Sequence, residues 1–524
     1  MLVHTPIGSF AAELDAYDLP PTFPVVLPIC RTLGIAETVD RFCPMQGGDH
    51  LTHGQVVEFL ILHLLQSPDR LPLYQLGQWA ADHNVHRLYG CSAEEFNDDR
   101  VGRALEALAE AVPEIEAQVV TEALRQYHIK ADTIHWDLTN VTFTGAYEGS
   151  ELIRAGYGHG AMHERQLQVS LHTTGEAGIP VRHEVLAGNV HQGPLAPDML
   201  QELQQRLPTS KVIVVSDRAG ISYDNIVCYR RRRAYFLGPL QVTNPEHARA
   251  LAAVPLSAFQ PLSYHPINKP HETYACYPTT LKMRHKQGKP PLRVRALFVH
   301  SSQKQAHDAA QREKAIARAL ARLQQISGFL NQRQYARREY AQAQITKALR
   351  PVASFVHAEL LGEDRTLTLH VHVDQQALAE AAASDGRYIL VFRLPDEKSL
   401  EDTFMLYRGH GSIEQSFRTI FSELAIQPVW LHKEERIKGL LAVCILALIV
   451  YTLLELCSER AGLDSEYYHK LTARAIIRTF GRVYLRQIQV ETMPPQRELI
   501  MSPDQAYIIA QLQFPDPLTY IDSS

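Results

Sequence analysis

The stretch Leu406–Trp430, LYRGHGSIEQSFRTIFSELAIQPVW, sets one carboxylate, Glu414, at the head of a helix. Gly409, His410 and Gly411 interrupt any helix before it. Ser412 with Gln415 three residues on has capping-box spacing, so a new helix is expected from Ile413, with Glu414 in its first turn. Ile413, Phe417, Ile420 and Leu424 recur at helical spacing as the buried stripe, and Arg418 stands one turn beyond Glu414 on a neighbouring face. A glutamate and an arginine projecting together can serve a metal and a phosphate. The competing reading is a surface ion pair at four-residue spacing, which this stretch alone favours.

Two aspartates upstream change that balance. TIHWDLTNVTFTG alternates in the β manner from Thr133, and Asp137 lies within it. LQVSLHTT and IPVRHEVL form an expected hairpin pair, a helix is expected from Asp198 to Arg206, and KVIVVSD is a short apolar run suited to a central strand. Asp217 closes that run. An aspartate after a buried strand is often only a turn starter. Two of them on adjacent strands can also converge at one sheet edge, where they repel unless a divalent cation lies between them.

The 524 residues suffice for two to four domains, and a hydrophobic content of 45% suits packed globular structure rather than a disordered or fibrous chain. A net charge of −5 excludes a uniformly basic protein, so nucleic-acid binding has to rest on local clusters. Such a cluster occurs between Ser302 and Leu349, a helical region carrying Lys304, Arg312, Lys314, Arg318, Arg322, Arg333, Arg337, Arg338 and Lys347, with Arg350 just beyond. Phosphate binding and a plain solvated face both fit it. Arg230 to Arg233 is a second basic run. Seven scattered cysteines with no CxxC pair indicate neither a disulfide framework nor a cysteine zinc site, and a reducing cytosol fits them best. The start, MLVHTPIGSFAAELD, lacks the basic-then-apolar order of a signal peptide. Leu440 to Leu454 is almost wholly apolar but shorter than the roughly 20 residues that span a bilayer, so a buried core helix is expected and no membrane partner.

From about Leu27 to Tyr127 the pattern is helical throughout, with Thr52, Ser92 and the Asn97–Asp99 cluster as helix starters. The region has the size to carry a helix-turn-helix, but no Arg/Lys stripe marks a recognition helix, and a packing or dimerisation module fits equally. LRVRALFVH and TLTLHVHV are strands flanking the basic helices, and RYILVFRL is a further strand before a short helix capped by Ser399. His370 and His372 share one strand face without a third ligand nearby and are expected to face solvent. GYGHGAMH reads as a glycine-rich approach to a hairpin rather than a dinucleotide loop. The remainder to Ser524 reads as helix and loop, with ARAIIRTFGRVYLRQ as a basic amphipathic segment of no assigned chemistry.

Asp137, Asp217 and Glu414 thus follow as strand, strand and helix in an α/β pattern broken by an insertion. With WDLTNVTF, VVSDRAGIS, YRGHGSIEQSFR and HKEERIKGLLAVCILAL around them, the chain resembles the DDE transposases of bacterial insertion sequences, in the cut-and-paste branch with a Tyr-Arg-Glu-Lys signature. HGQVVEFLILHLL, LYQLGQWA and NDDRVGRALEAL are similar to the helical domain that precedes the core in one subgroup. The resemblance implies a ribonuclease H-like α/β core. Its expected layout is an all-α domain over 20–128 for DNA-end binding or dimerisation, core over 129–243 and 386–470, a mixed helix/strand insertion with basic helices over 244–385, and a helical/loop tail over 471–524. It also implies two Mg²⁺ ions, replaceable by Mn²⁺, on Asp137, Asp217 and Glu414, which suits hard oxygen donors. Double-stranded DNA, as terminal inverted repeats and target, is the implied partner, handled by a homodimer in a synaptic complex in a cytoplasmic, nucleoid-associated setting. Tyr407 and Arg418 are the implied phosphate contacts.

The signature is incomplete. Counted from Tyr407, its arginine falls on His410, which can still donate to a phosphate, and its lysine on Phe421, which cannot, so Arg408, Arg418 and Lys433 are the candidates to supply the missing charge. Trp430 lies nearest the Glu414 helix and reads as a core residue, with a base-holding role as the alternative. A non-catalytic DNA-binding derivative and a general metal-dependent nuclease are the competing functions.

Overall fold

The computed structural model describes all residues except 1, 6–7, 46, 48–49, 67–70, 146, 157–163, 191–198, 202, 205–210, 267–268, 286, 428, 464–470, 491–495 and 523–524. GYGHGAMH beyond Gly156 falls outside the described residues, whereas residues 199–201 and 203–204 of the helix expected from Asp198 to Arg206 are described and helical. Contacts divide the chain into two compact units, one of residues 1–216, 229–234 and 408–524, the other of 217–228 and 235–407.

The first unit opens with strands β1 (Leu2–Thr5) and β2 (Gly8–Leu19), then helices α1 (Phe23–Leu33), α2 (Ile35–Phe42), α3 (His53–Gln66), α4 (Leu73–Asp82), α5 (Asp98–Glu110) and α6 (Val112–Gln126). The expected starters act: Thr52 and Gln55 exchange hydrogen bonds of 3.1 and 2.9 Å, and the Asn97 side chain accepts from the Arg100 amide at 2.8 Å. Sheet residues follow as β3 (Thr133–Phe143), β4 (Arg154–Ala155), β5 (Arg165–Thr174), β6 (Pro180–Ala187) and β7 (Ile213–Ser216). β5 lies between β3 and β6, antiparallel to both, and β7 pairs parallel with β3.

The second unit begins at Asp217 and holds most of α7 (Tyr223–Arg231), whose last residues belong to the first unit. It continues through β8 (Tyr235–Leu240), α8 (Pro245–Ala253), β9 (Gln260–Pro261), β10 (Tyr274–Met283) and β11 (Leu292–Ser301). Next come α9 (Ser302–Phe329), α10 (Arg338–Leu349), β12 (Val356–Leu361), β13 (Thr368–Val373), α11 (Gln375–Ala382), β14 (Arg387–Arg393) and α12 (Leu400–Arg408), whose last residue lies in the first unit. Its sheet runs β8-β14-β11-β10-β9, antiparallel at each paired step. The expected strands within LRVRALFVH, TLTLHVHV and RYILVFRL are β11, β13 and β14, and His370 and His372 are exposed on β13 as expected.

The first unit resumes with α13 (Gly411–Ser422), α14 (Glu434–Arg460), α15 (Ala473–Thr479), β15 (Val483–Val490), β16 (Gln496–Ile500), α16 (Pro503–Leu512) and α17 (Thr519–Asp522). α14 is long and apolar enough, by length and composition, to cross a membrane, yet 78% of its most apolar window is buried inside the structure. It packs on α1, α3, α5, α13 and β6. Burial of that kind stabilises by about 1.5–3 kcal/mol for each large side chain. The approach to α5 is tight at Gly439, where a Cβ would stand 2.1 Å from the Leu105 carbonyl oxygen. The helical/loop tail expected over 471–524 is corrected here. The segment ARAIIRTFGRVYLRQ divides into α15 and part of β15, and β15 pairs with β16 and, across the whole chain, with β2. The alternation in VYLRQIQV is short and mixed with basic residues, so helical periodicity next to it masked the strand.

Candidate active site

In β3 successive side chains take opposite faces, so His135, Asp137 and Thr139 share one face while Ile134, Trp136 and Leu138 take the other. Trp136 is buried and its indole N–H donates to Ser170 Oγ at 2.9 Å, which fixes the strand's rotation. Asp137 is thereby held half-buried, its Oδ1 accepting from the Leu138 amide at 2.8 Å. The parallel ladder of β3 with β7 ends at Trp136 and Ser216, and the next residue in the chain after each is an aspartate, Asp137 and Asp217.

Asp217 is half-buried, and its Oδ1 accepts from the Ala219 and Gly220 amides at 2.9 and 3.3 Å. This is the turn-starting role of an aspartate after a strand. Both bonds use one oxygen. Asp137 and Glu414 belong to the first unit and Asp217 opens the second.

The Glu414 helix, α13, packs against β3 and β5. Its apolar stripe lies where the spacing predicts it, with Ile413, Phe417, Ile420 and Leu424 all buried. The cap differs. α13 begins at Gly411 rather than Ile413, with His410 in the N-cap position at φ −59°, ψ −22°, and no side chain caps it. Gly409 and His410 form a turn in which His410 has helical dihedrals, so Ser412 is already inside the first turn, its amide bonded to the Gly409 carbonyl. Its hydroxyl is buried without a hydrogen-bond partner among the described residues. The surface ion pair is also absent: Glu414 and Arg418 are both exposed, and no ion pair between them occurs among the described residues.

His410, the expected phosphate donor, is half-buried, and its ring centroid lies 5.6 Å from that of His135. His135 is 1% exposed and its Nδ1 has no hydrogen-bond partner among the described residues. Burial, and then the neighbouring His410, push its imidazole down to about 3, so it is neutral at any ordinary pH. His135 is two residues before Asp137 on the same strand face, and His410 is one helical turn before Glu414. The histidine contact therefore joins the strand of one carboxylate to the head of the helix of another. Sequence reading missed His135, although its alternation with Asp137 was the available signal.

The remaining expected DNA contacts fall out differently. Tyr407 is half-buried with its ring 6.1 Å from that of Tyr388, while Arg408 is exposed. Lys433 donates to Glu106 of α5 at 3.0 Å, and Arg436 donates to the same oxygen at 2.6 Å. These two bonds hold the Glu106 carboxyl below its usual range. Glu434 beside them accepts from Ser150 Oγ and the Glu151 and Leu152 amides at 2.6, 3.1 and 3.3 Å. The head of α14 is thus a brace between the N-terminal helices and the loop after β3, which binds Lys433 internally. Trp430, expected in the core, is 47% exposed, a correction that follows from its place in a coil segment between α13 and α14.

Carboxylate oxygens are suitable donors for a hard divalent cation. Among the described residues, however, no group of three or more His, Cys, Asp or Glu side chains stands close enough together to hold a metal ion.

Residues 21–117 match the family model described as a domain of unknown function, DUF4277. No curated protein matches the chain. Among solved structures it is similar to the piggyBac transposase synaptic complex with hairpin DNA, at 8% identity, covering 89% of this chain and 81% of that one with a TM-score of 0.40. A likeness of that strength decides neither activity nor partner.

Proposed function

We propose that the chain is a metal-dependent DNA transposase that cleaves strands at insertion-sequence ends and joins them to target DNA. The observation that carries the reading is the end of the β3–β7 ladder, where Trp136 and Ser216 are each followed by an aspartate. The α13 helix bearing Glu414 packs on β3, and the resemblance of the sequence around all three carboxylates supports the same assignment. Asp137, Asp217 and Glu414 would hold Mg²⁺, or Mn²⁺ in its place. Such ions, when bound, supply activation of a hydroxyl nucleophile and neutralisation of phosphoryl charge. The chain's own part is to present hard oxygens: Asp137 at a strand position locked by Trp136, Asp217 through the oxygen its turn leaves over, and Glu414 from an exposed helical turn. Arg418 and Arg408, both exposed, are the cations proposed to hold the scissile strand. Duplex DNA is the proposed substrate, a dimer in a synapse the proposed working form, and the cytoplasm its proposed location.

The test is incubation of the purified chain with its element's ends and Mg²⁺. Cleavage there, lost in Asp137→Asn, Asp217→Asn and Glu414→Gln with DNA binding retained, is the expected result.

A second reading, a DNA-binding protein without cleavage activity, is favoured by two observations. Phe421 occupies the signature's lysine position, and Lys433 is spent on Glu106. End binding without cleavage in either Mg²⁺ or Mn²⁺ would select it.

A further inference from the structure

Residues 302–373 fold around a hydrophobic core of their own, in which Ala319, Leu323 and Ile326 of α9 meet Ala341 and Ile345 of α10 and Val356, Leu360 and Leu367 of the β12–β13 hairpin. This segment carries eleven Lys and Arg against six Asp and Glu, within a chain whose net charge is −5. The module is thus net basic by five charges, and it adjoins residues 245–301, which carry eight Lys and Arg against two Asp and Glu.

Within the module nine of the eleven cations fall into two sets, besides Arg322, which donates to Gln325 at 3.2 Å, and Arg365, which is exposed. Those that tie it together are paired: Arg312 makes a two-pronged contact with Asp385 at 2.7 and 2.6 Å, Lys304 bonds Asp308 at 2.9 and 2.8 Å, and Arg338 donates to the Leu360 and Gly362 carbonyls. The second set, Lys314, Arg318, Arg333, Arg337, Lys347 and Arg350, is exposed. Among the described residues none of these six side chains has an ion-pair partner. On α9 the four-residue steps Lys314–Arg318–Arg322 make one stripe beside the buried row Ala319–Leu323–Ile326. Like charges at such spacing repel within a Debye length of about 8 Å, so the stripe costs the free protein stability that a polyanion would return.

We infer that the α9–α10 module is the chain's main docking surface for the phosphodiester backbone of double-stranded DNA. This inference rests on DNA being the substrate and goes beyond it, because it assigns the backbone contact to this module rather than to the N-terminal helices or to Lys433. α9, with 28 residues at about 1.5 Å each, is about 42 Å long, enough to follow roughly twelve base pairs. A contact made by charge to phosphate is sensitive to salt.

The test is binding of a labelled 30-base-pair duplex to the full chain, followed by fluorescence anisotropy over a salt series without metal. Lys314→Gln, Arg318→Gln, Arg337→Gln and Lys347→Gln are combined in one variant. All four side chains are exposed, so an unchanged circular dichroism spectrum is expected. Each lost phosphate contact removes about 0.9 from the slope of log affinity against log salt, so the four together should flatten it by roughly three and a half. Affinity at 150 mM salt should fall at least 100-fold. Arg41→Gln, Arg154→Gln and Arg478→Gln combined, exposed cations outside the module, should change it less than twofold. An unaltered slope in the module variant, or no duplex binding by the unmutated chain, overturns the inference. Binding that depends on the module in a chain that never cleaves leaves this inference standing and removes the proposed activity instead.

Discussion

Replacing Glu58 with glutamine tests the reading of the N-terminal helices as a tightly packed body. Glu58 on α3 is 0% exposed, with an Arg31 nitrogen 3.0 Å away. The approach is an ion contact without hydrogen-bond geometry, since neither carboxylate oxygen finds a proper donor. Burial is the dominant influence, Arg31 opposes it, and Glu37 and Asp40 reinforce it, so the carboxyl is pushed from 4.5 up to about 8. A carboxyl whose pKa is raised in the folded state stabilises fully below its unfolded value and loses that contribution as pH rises towards 8. At about 1.4 kcal/mol per pH unit, the loss between pH 4.5 and 8 is on the order of 5 kcal/mol. Urea unfolding followed by circular dichroism at pH 5 and pH 9 measures it. The native chain should weaken by several kcal/mol over that interval, and Glu58→Gln should weaken far less and be the more stable protein at pH 9. Parallel pH profiles for the two proteins would refute the argument. So would a variant less stable than the native chain at pH 9, which would mean that a charged Glu58 is held by Arg31.

His135 gives the opposite pH dependence. Its pKa is depressed to about 3, so its contribution is present above 6.5 and lost as pH falls through that range, and His135→Phe should flatten the acid side of the same unfolding curve. Gly439→Ala drives a Cβ to 2.1 Å from the Leu105 carbonyl oxygen, so α14 and α5 have to separate, with a stability loss of about 3 kcal/mol or more and faster amide exchange in both helices. Full solubility and an unchanged unfolding midpoint would contradict that packing.

Much of the scaffold was legible because periodicity and burial coincide. The stripe Ile413, Phe417, Ile420 and Leu424, the run before Asp217 and the apolar heart of α14 each carry their pattern in adjacent residues. The pairing of β2 with β15 was not legible, because it joins segments more than 460 residues apart and neither has a clean alternation. Ser412 was read as a cap because local spacing says nothing of the preceding turn, in which His410 has helical dihedrals. For the site, the residue types pointed to a chemistry but not to their neighbours. The His135–His410 contact and the engagement of Lys433 by Glu106 depend on elements 275 and 327 positions apart. Trp430 illustrates the same limit, since a tryptophan beside an amphipathic helix is usually core and here stands in solvent.

The most direct measurement is strand cleavage by the purified chain on duplexes carrying its own element's ends, with Mg²⁺ added or withheld. The account predicts metal-dependent cuts at those ends, abolished separately by Asp137→Asn, Asp217→Asn and Glu414→Gln in proteins that still bind the duplex. Full cleavage in any one of the three variants, or cutting that ignores the end sequence, would contradict it.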